Sequence, residues 1–415
     1  MHRRSRFALI VALLGVAPDL MAQPAPAARL ATVLEAFRTQ HGFPGATAAI
    51  VLPDGTLVAA ASGLADLDSR RPMTADTPML AASIGKSFVA TTVLLLEDEG
   101  HLARGDLLSI HLGDRPWFDS LPNAAEITIA HLLRHTAGLP DHVHLTAFQA
   151  DFKKLAADGC AFDPEQLLIY VAGAEPLFAP GQAWSYSDTG YVLLGLVIEE
   201  VTGAVWHDVV RARLIVPLGL ERTFASNRRD LPGLAVGYTD PGNPFGLPAR
   251  TADDAGRLLW NPAVESAGGG FASTSADLAR WGHLLFAGKA LRQPYLDRLL
   301  GGVPVDPDTP SILYGLGVAI RADTPNGPVY GHGGWIPGFV SSLRHYPDHD
   351  VTVVFQINTD AGIADDTDDT DDLIPALESE LAALAVGFAA DRISGHPGAR
   401  PAVKPTVADP LRSGR

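Results

Sequence analysis

Apolar positions follow two rhythms along the chain, and the rhythm changes near residue 311. From Ala28 to Gln40 they recur at helical spacing, with Leu30, Val33, Leu34 and Phe37 on one face. Ala46–Val51 and Thr56–Ala61 flank Asp54-Gly55, a favoured tight-turn pair, which predicts a hairpin. Helical spacing then holds through the middle of the chain. It covers Ser83–Glu99 closed by Gly100, Thr128–His135 ended near Gly138, and a helix opened by Asp163-Pro164 that runs to Ala172. It continues in Gly190–Glu200, Val205–Ile215 and Thr274–Ala287, the last stopped by Gly288. After residue 311 strand-like runs take over at Tyr314–Arg321, Val329–His332, Phe339–Tyr346 and Val351–Asn358, before Asp372–Ala389 returns to helical spacing.

Strands at both ends and helices between them predict an α+β fold. An antiparallel sheet built from both chain ends is flanked by the first and last helices, with a mostly helical domain inserted. The expected division is 23–80 plus 300–390 for the α/β domain and 81–299 for the helical one. The first 22 residues read as an export signal. Arg3, Arg4 and Arg6 precede the apolar run Phe7–Ala17, which is too short to span a bilayer; Pro18 breaks the run, and Ala22 suits the last leader position. The expected mature protein starts near Gln23, is periplasmic or secreted, and carries no stable membrane anchor, because no later run reads as an uninterrupted span. Residues 391–415, rich in Pro, Gly and Arg, read as a disordered tail.

Charge and composition narrow the classes. With 31 Lys and Arg against 47 Asp and Glu, the net charge of −16 disfavours nucleic acid as a partner. The single cysteine, Cys160, cannot form an internal disulfide or a cysteine zinc site. Lysines are scarce, and Lys86 stands out among them. It lies in a helix that is apolar almost all round, where an unpaired ammonium costs several kcal/mol. Ser83, three residues earlier, shares its helix face. A serine hydroxyl becomes a nucleophile when a neighbouring base takes its proton, and free N–H groups at a helix start can hold an oxyanion. Three other segments stand in order with it: Ile127 to Pro140 with His131 and His135, Trp184-Ser185-Tyr186-Ser187-Asp188, and the glycine-rich strand end Gly331-His332-Gly333-Gly334-Trp335.

Together these segments resemble the serine β-lactamase and penicillin-binding protein superfamily, in its class C-like branch of DD-peptidases, esterases and D-amino-acid peptidases, over about residues 28–390. The resemblance implies a β-lactamase/transpeptidase-like fold and no cofactor or metal. It makes Ser83 the acylated nucleophile, with Lys86 helping to remove its proton. Tyr186 becomes a general base, as phenolate or through a proton shared with Lys86, with Lys86 and His332 as the available cations. It also places the oxyanion hole at the N–H groups of Ser83 and Trp335, beside Gly333 and Gly334. Two positions depart from the family pattern. His332 stands where Lys is usual in β-lactamases. Asp188 stands where Asn is common, and it could pair with Lys86 or position substrate. The implied substrate is a small ester or a peptidoglycan-derived D-alanyl peptide end, in a pocket shaped by segments 143–161 and 231–262.

Two rival classes compete with this reading. A metal hydrolase would use His131, His135, Asp141, His142 and His144, but these lack the His-Glu-x-x-His pattern. A catalytically dead cell-wall-binding module is disfavoured by intact Ser83, Lys86 and Tyr186. The Asp360–Asp372 run, with seven carboxylates, lacks EF-hand spacing and reads as a solvated loop beside the sheet, away from the site. Oligomeric state leaves no mark in the sequence.

Overall fold

A computed structural model describes residues 25–158, 162–363 and 373–395. The leader, Cys160 and most of the aspartate run and tail lie outside these residues.

The hairpin forms as β1 (Gly45–Val51) and β2 (Leu57–Asp66), followed by short strands β3 (Arg71–Pro72) and β4 (Met79–Leu80). The middle of the chain adds β5 (Phe224–Ala225) and β6 (Phe271–Ser273). The last third supplies β7 (Val303–Pro304), β8 (Ile312–Tyr314), β9 (Ala319–Arg321), β10 (Val329–Ile336), β11 (Phe339–Tyr346) and β12 (Val351–Ile357). Nine strands make one sheet in the order β3-β2-β1-β12-β11-β10-β9-β8-β7, with β1 antiparallel to β12 from Ala46–Ile357 to Val51–Thr352. The two ends of the chain therefore meet at the centre of the sheet. The three-stranded sheet β4-β6-β5 has no counterpart in the sequence pattern, because strands of two or three residues carry no periodicity.

Both faces of the large sheet are covered, and alternation along β1 sorts its side chains. Ala46, Ala48 and Ile50 join Leu30 and Leu34 of the first helix (Pro26–His41) and Leu377 and Leu381 of the last (Leu373–Gly395). Ala49 and Val51 join the core of the helical segment. The Ser275–Phe286 helix, assigned by sequence to the insert, packs on this second face against β1, β11 and β12. The last helix runs to Gly395, beyond Ala389 and into the expected tail, because Arg29 pairs with Asp391 at 3.4 Å and stacks over Phe388. Its Leu373–Arg392 stretch is long and apolar enough to cross a membrane, contrary to the sequence reading of no later span; here its apolar side is spent on the sheet. Tyr314–Arg321 is two strands rather than one, since Gly317 takes a left-handed turn between β8 and β9.

One buried ionic knot ties the last helix to the sheet. Glu378 accepts from Arg344 at 2.8 Å and from Ser342 at 2.7 Å, and pairs with Arg321 at 3.3 Å. Burial opposes ionisation of Glu378, but the two arginines and the hydroxyl outweigh it and hold its pKa below the usual value. Glu378→Ala should therefore destabilise the fold by about 3 kcal/mol in urea unfolding, since it leaves Arg344 buried and unpaired. Because the folded pKa is lowered, this stabilisation is present above the ordinary Glu pKa and is lost as pH falls through the lowered one. A loss under about 0.5 kcal/mol would show the knot to be idle.

Candidate active site

Ser83 sits at a sharp corner. Met79–Leu80 ends in β4, Ala82 takes φ of +49°, and a single 3₁₀ turn (Ala82–Ile84) leads into the Gly85–Asp98 helix. The sequence reading ran one helix from Ser83; the corner instead lifts Ser83 to the edge of a cavity of about 460 Å³. Surrounding structure holds the strained Ala82 in place: Ala81 N–H donates to Phe271 O at 2.9 Å, and Ser341 Oγ donates to Ala81 O at 2.9 Å. Two glycines allow the close packing. A Cβ on Gly334 would collide with Ala81 O, and one on Gly85 would collide with Gly269 O. Thus β10 can lie directly against the Ser83 corner, and beyond Gly331 it has no partner strand on that side.

Lys86 is fully buried beneath Ser83. Its Nζ donates to Ser83 Oγ at 3.0 Å, to Gly268 O at 2.6 Å and to Asp188 Oδ1. An ammonium has three donors, and each has an acceptor here, which is how the charge is tolerated without water. Asp188 enters from the start of the Asp188–Thr202 helix, so its departure from asparagine is an ion pair to Lys86. Tyr186 lies under the same cation, with Nζ 4.8 Å from its ring centroid.

Burial, then Asp188, push the Tyr186 hydroxyl well above its usual pKa, and the Ser83 hydroxyl bonded to it pulls only partly back. Tyr186 is thus a phenol at neutral pH. His332 corrects a second expectation: it is no cation. Burial and Lys86 lower its pKa to about 3, and its Nε2 lies 2.8 Å from the Tyr314 hydroxyl.

The structure brings Ser83, Tyr186, Asp188, His332, Gly333, Gly334 and Trp335 to one cavity wall, with Lys86 immediately behind. The two segments expected to shape the pocket contribute Val143, His144, Phe148 and Phe152, and Phe245 and Trp260. The aspartate run is not remote: Ile363 near its start and Ile374 just past its end line the cavity, and Asp360 accepts from Trp335 Nε1 at 3.0 Å. Glu265 was missed by sequence. It accepts from Gly270 N–H at 3.2 Å, and the triple glycine that follows it before β6 was the available signal. Burial and the neighbouring Asp188 raise Glu265 to about 8 and Asp141 to about 7.

The histidines of the metal reading have other work. His131 Nδ1 accepts from Thr128 N–H at 3.2 Å in a capping box, and His135 packs among aromatic rings. Among the described residues no group of three His, Cys, Asp or Glu side chains is placed to hold a metal ion.

A serine at a cavity edge and a buried lysine three residues on, at the start of a helix pressed to the edge of an antiparallel sheet, define a serine hydrolase of the β-lactamase fold. The chain belongs to the Beta-lactamase family, whose profile matches residues 30–378. It is similar to penicillin-binding protein 4 of Amycolatopsis lactamdurans, 30% identical over 84% of this chain and 89% of that one. Esterase EstB of Burkholderia gladioli is 35% identical over 47% of this chain and 50% of its own length. Among solved structures, a D-stereospecific amidohydrolase from Streptomyces sp. aligns with a TM-score of 0.69 at 29% identity, covering 80% of this chain and 94% of that chain.

Because the raised Tyr186 pKa leaves little phenolate at neutrality, the base form of the network grows as pH rises. For a neutral ester, kcat/KM should increase roughly tenfold per pH unit below the network's apparent pKa. A rate that is flat or falling between about pH 6 and pH 9 contradicts this protonation state.

Proposed function

We propose that this chain is an exported hydrolase that forms an acyl-enzyme through Ser83 and cleaves esters or amides whose acyl part carries a free ammonium group and an apolar side chain. One observation carries the proposal: Ser83 Oγ, 3.0 Å from Lys86 Nζ, opens onto a cavity with three carboxylates and an aromatic wall. Asp141, Asp188 and Glu265 line it; among the described residues no Arg does, and Lys86, immediately behind, is already paired with Asp188. Above about pH 7 to 8, where Asp141 and Glu265 ionise, a substrate ending in carboxylate, such as a D-alanyl peptide, would place like charge here, at a cost of about 1–4 kcal/mol per close pair. An ammonium gains the same interactions. Phe148, Phe152, Phe245, Trp260 and Trp335 suit an apolar or aromatic side chain.

In the proposed reaction Ser83 Oγ attacks the carbonyl carbon. Its proton is taken by the base form of the site, in which the Lys86–Tyr186 pair holds one proton fewer, and passes on to the departing alcohol or amine. The N–H groups of Ser83 and Trp335 hold the oxyanion, with the Trp335 indole anchored by Asp360. Water then attacks the acyl ester, the network takes its proton, and the acid leaves as Ser83 regains hydrogen. Asp188 holds Lys86, and neutral His332 holds the Tyr314 hydroxyl beside it. The relatives' esterase and amidohydrolase names support acyl transfer, and the leader-like residues 1–22 support a periplasmic or secreted location.

A substrate panel tests the reading. D-phenylalanine p-nitroanilide should exceed its N-acetyl derivative by at least about tenfold in kcat/KM, and exceed a D-Ala-D-Ala peptide and nitrocefin by more. Activity should fall by at least about 10³-fold in Ser83→Ala. A dominant rate on nitrocefin or on the carboxylate-ended peptide overturns the charge argument. For the free amine, KM should be lowest near pH 7 to 8, where Asp141 and Glu265 ionise while the substrate amine, with a pKa of about 8, still keeps part of its charge. Protein recovered from the periplasm should begin near Gln23; recovery with Met1 in the cytoplasm contradicts export.

A further inference from the structure

His135 was singled out in sequence as a metal candidate, and the reaction above gives it no role. It is buried, 2% exposed, at the end of the Ile129–Leu133 helix. Its backbone takes φ of +59°, a left-handed conformation that histidine tolerates better than most side chains. That conformation lets one residue bond both neighbours of Tyr186. Ser185 N–H donates to the His135 carbonyl at 3.0 Å, and Ser187 N–H donates to His135 Nδ1 at 3.2 Å. The imidazole also packs against the tyrosine it straddles, with ring centroids 4.2 Å apart. Tyr314 and Tyr191 close the nest at 4.7 Å and 5.2 Å, and Tyr191 is itself pinned by donating to Leu133 O at 3.0 Å.

We infer that His135 is a positioning residue, a two-point clamp that fixes the backbone on both sides of Tyr186 and so sets the phenol against Ser83 and Lys86. The inference rests on Tyr186 taking part in proton transfer. The segment needs such a clamp, because Trp184–Ser187 precedes the Asp188–Thr202 helix and lies outside any strand. Nothing in its own local structure fixes residue 186. Accepting from Ser187 leaves Nδ1 without a proton, so the neutral ring carries its hydrogen on Nε2, which has no partner among the described residues. Burial, with Lys86 and His332 nearby, pushes the ring's pKa well below its usual value and keeps that tautomer neutral. A protonated His135 would lose the bond to Ser187 and bring a second cation close to Lys86.

Asparagine separates positioning from packing. Its side-chain oxygen reproduces the Nδ1 acceptor and it accepts a left-handed φ, whereas phenylalanine keeps the ring and loses the acceptor. His135→Phe should lower kcat about 100-fold with KM within about twofold, the size of effect that a misplacement of about 1 Å causes. His135→Asn should recover most of that loss, and the lost activity should not track melting temperature. Equal impairment of both variants, or a His135→Phe enzyme within about twofold of wild type, overturns the clamp. Should His135→Phe fail to fold, the tautomer in wild-type enzyme decides. Nitrogen NMR must find His135 Nδ1 unprotonated from about pH 5 to pH 9, and a protonated Nδ1 refutes the inference. Tyr186→Phe is the control for the underlying reading. If that variant stays active, the role of Tyr186 fails, whereas an inactive Tyr186→Phe beside an active His135→Phe defeats the clamp alone.

Discussion

A buried ammonium must be satisfied wherever it sits, and Lys86 satisfies its three donors with one local acceptor and two from distant parts of the chain. Ser83 comes from its own helix start, Asp188 from 102 residues further on, and Gly268 O from 182 residues further on. Removing any one acceptor leaves a charge in a dry interior, at several kcal/mol. The same constraint that stabilises the lysine therefore assembles the site. It fixes the nucleophile corner, the Tyr186 segment and the glycine turn before β6 relative to one another.

Around that charge the architecture depends on how closely backbones can approach. Gly85 lets the nucleophile helix touch the Gly268–Gly270 turn, and Gly334 lets β10 touch the Ser83 corner. The corner reached from β4 belongs to the three-stranded sheet, and Ser341 Oγ of β11, donating to Ala81 O at 2.9 Å, ties it to the nine-stranded sheet that carries β10. Helices on both faces then keep water from the lysine. Function and fold share residues here: the strained Ala82 and the left-handed His135 are costly alone and are held by packing that the sheet supplies.

Much of this was legible in the sequence where chemistry conflicts with local rules. A lysine in an apolar helix three residues after a serine, a tyrosine before a helix, and a glycine run at a strand end each break a pattern, and each reaches the site. The central strands were legible because they are long and apolar. The short strands β4, β5 and β6 were not, since strands of two or three residues paired across about 190 residues (β4–β6) or about 50 (β5–β6) leave no local trace. Charge states were also hidden. Sequence offered His332 as a cation, but only the three-dimensional site shows it buried beside Lys86 and bonded to Tyr314. Glu265 and Asp141 look like ordinary surface acids until the fold buries them around one cavity. The aspartate run looked remote because Ile363, near its start, and Ile374, at the start of the last helix, reach the cavity only in the fold.

The account turns on Ser83 as the atom that is acylated and on the Lys86 network as what makes it reactive. Rapid quenching of the enzyme with p-nitrophenyl butyrate, followed by peptide mass mapping, tests both together. The account predicts one butyryl group, on the peptide that contains Ser83, forming within the first turnover in wild type and at least about 100-fold more slowly in Lys86→Ala. Turnover with no acyl group on Ser83, or acylation at an unchanged rate in Lys86→Ala, would contradict it.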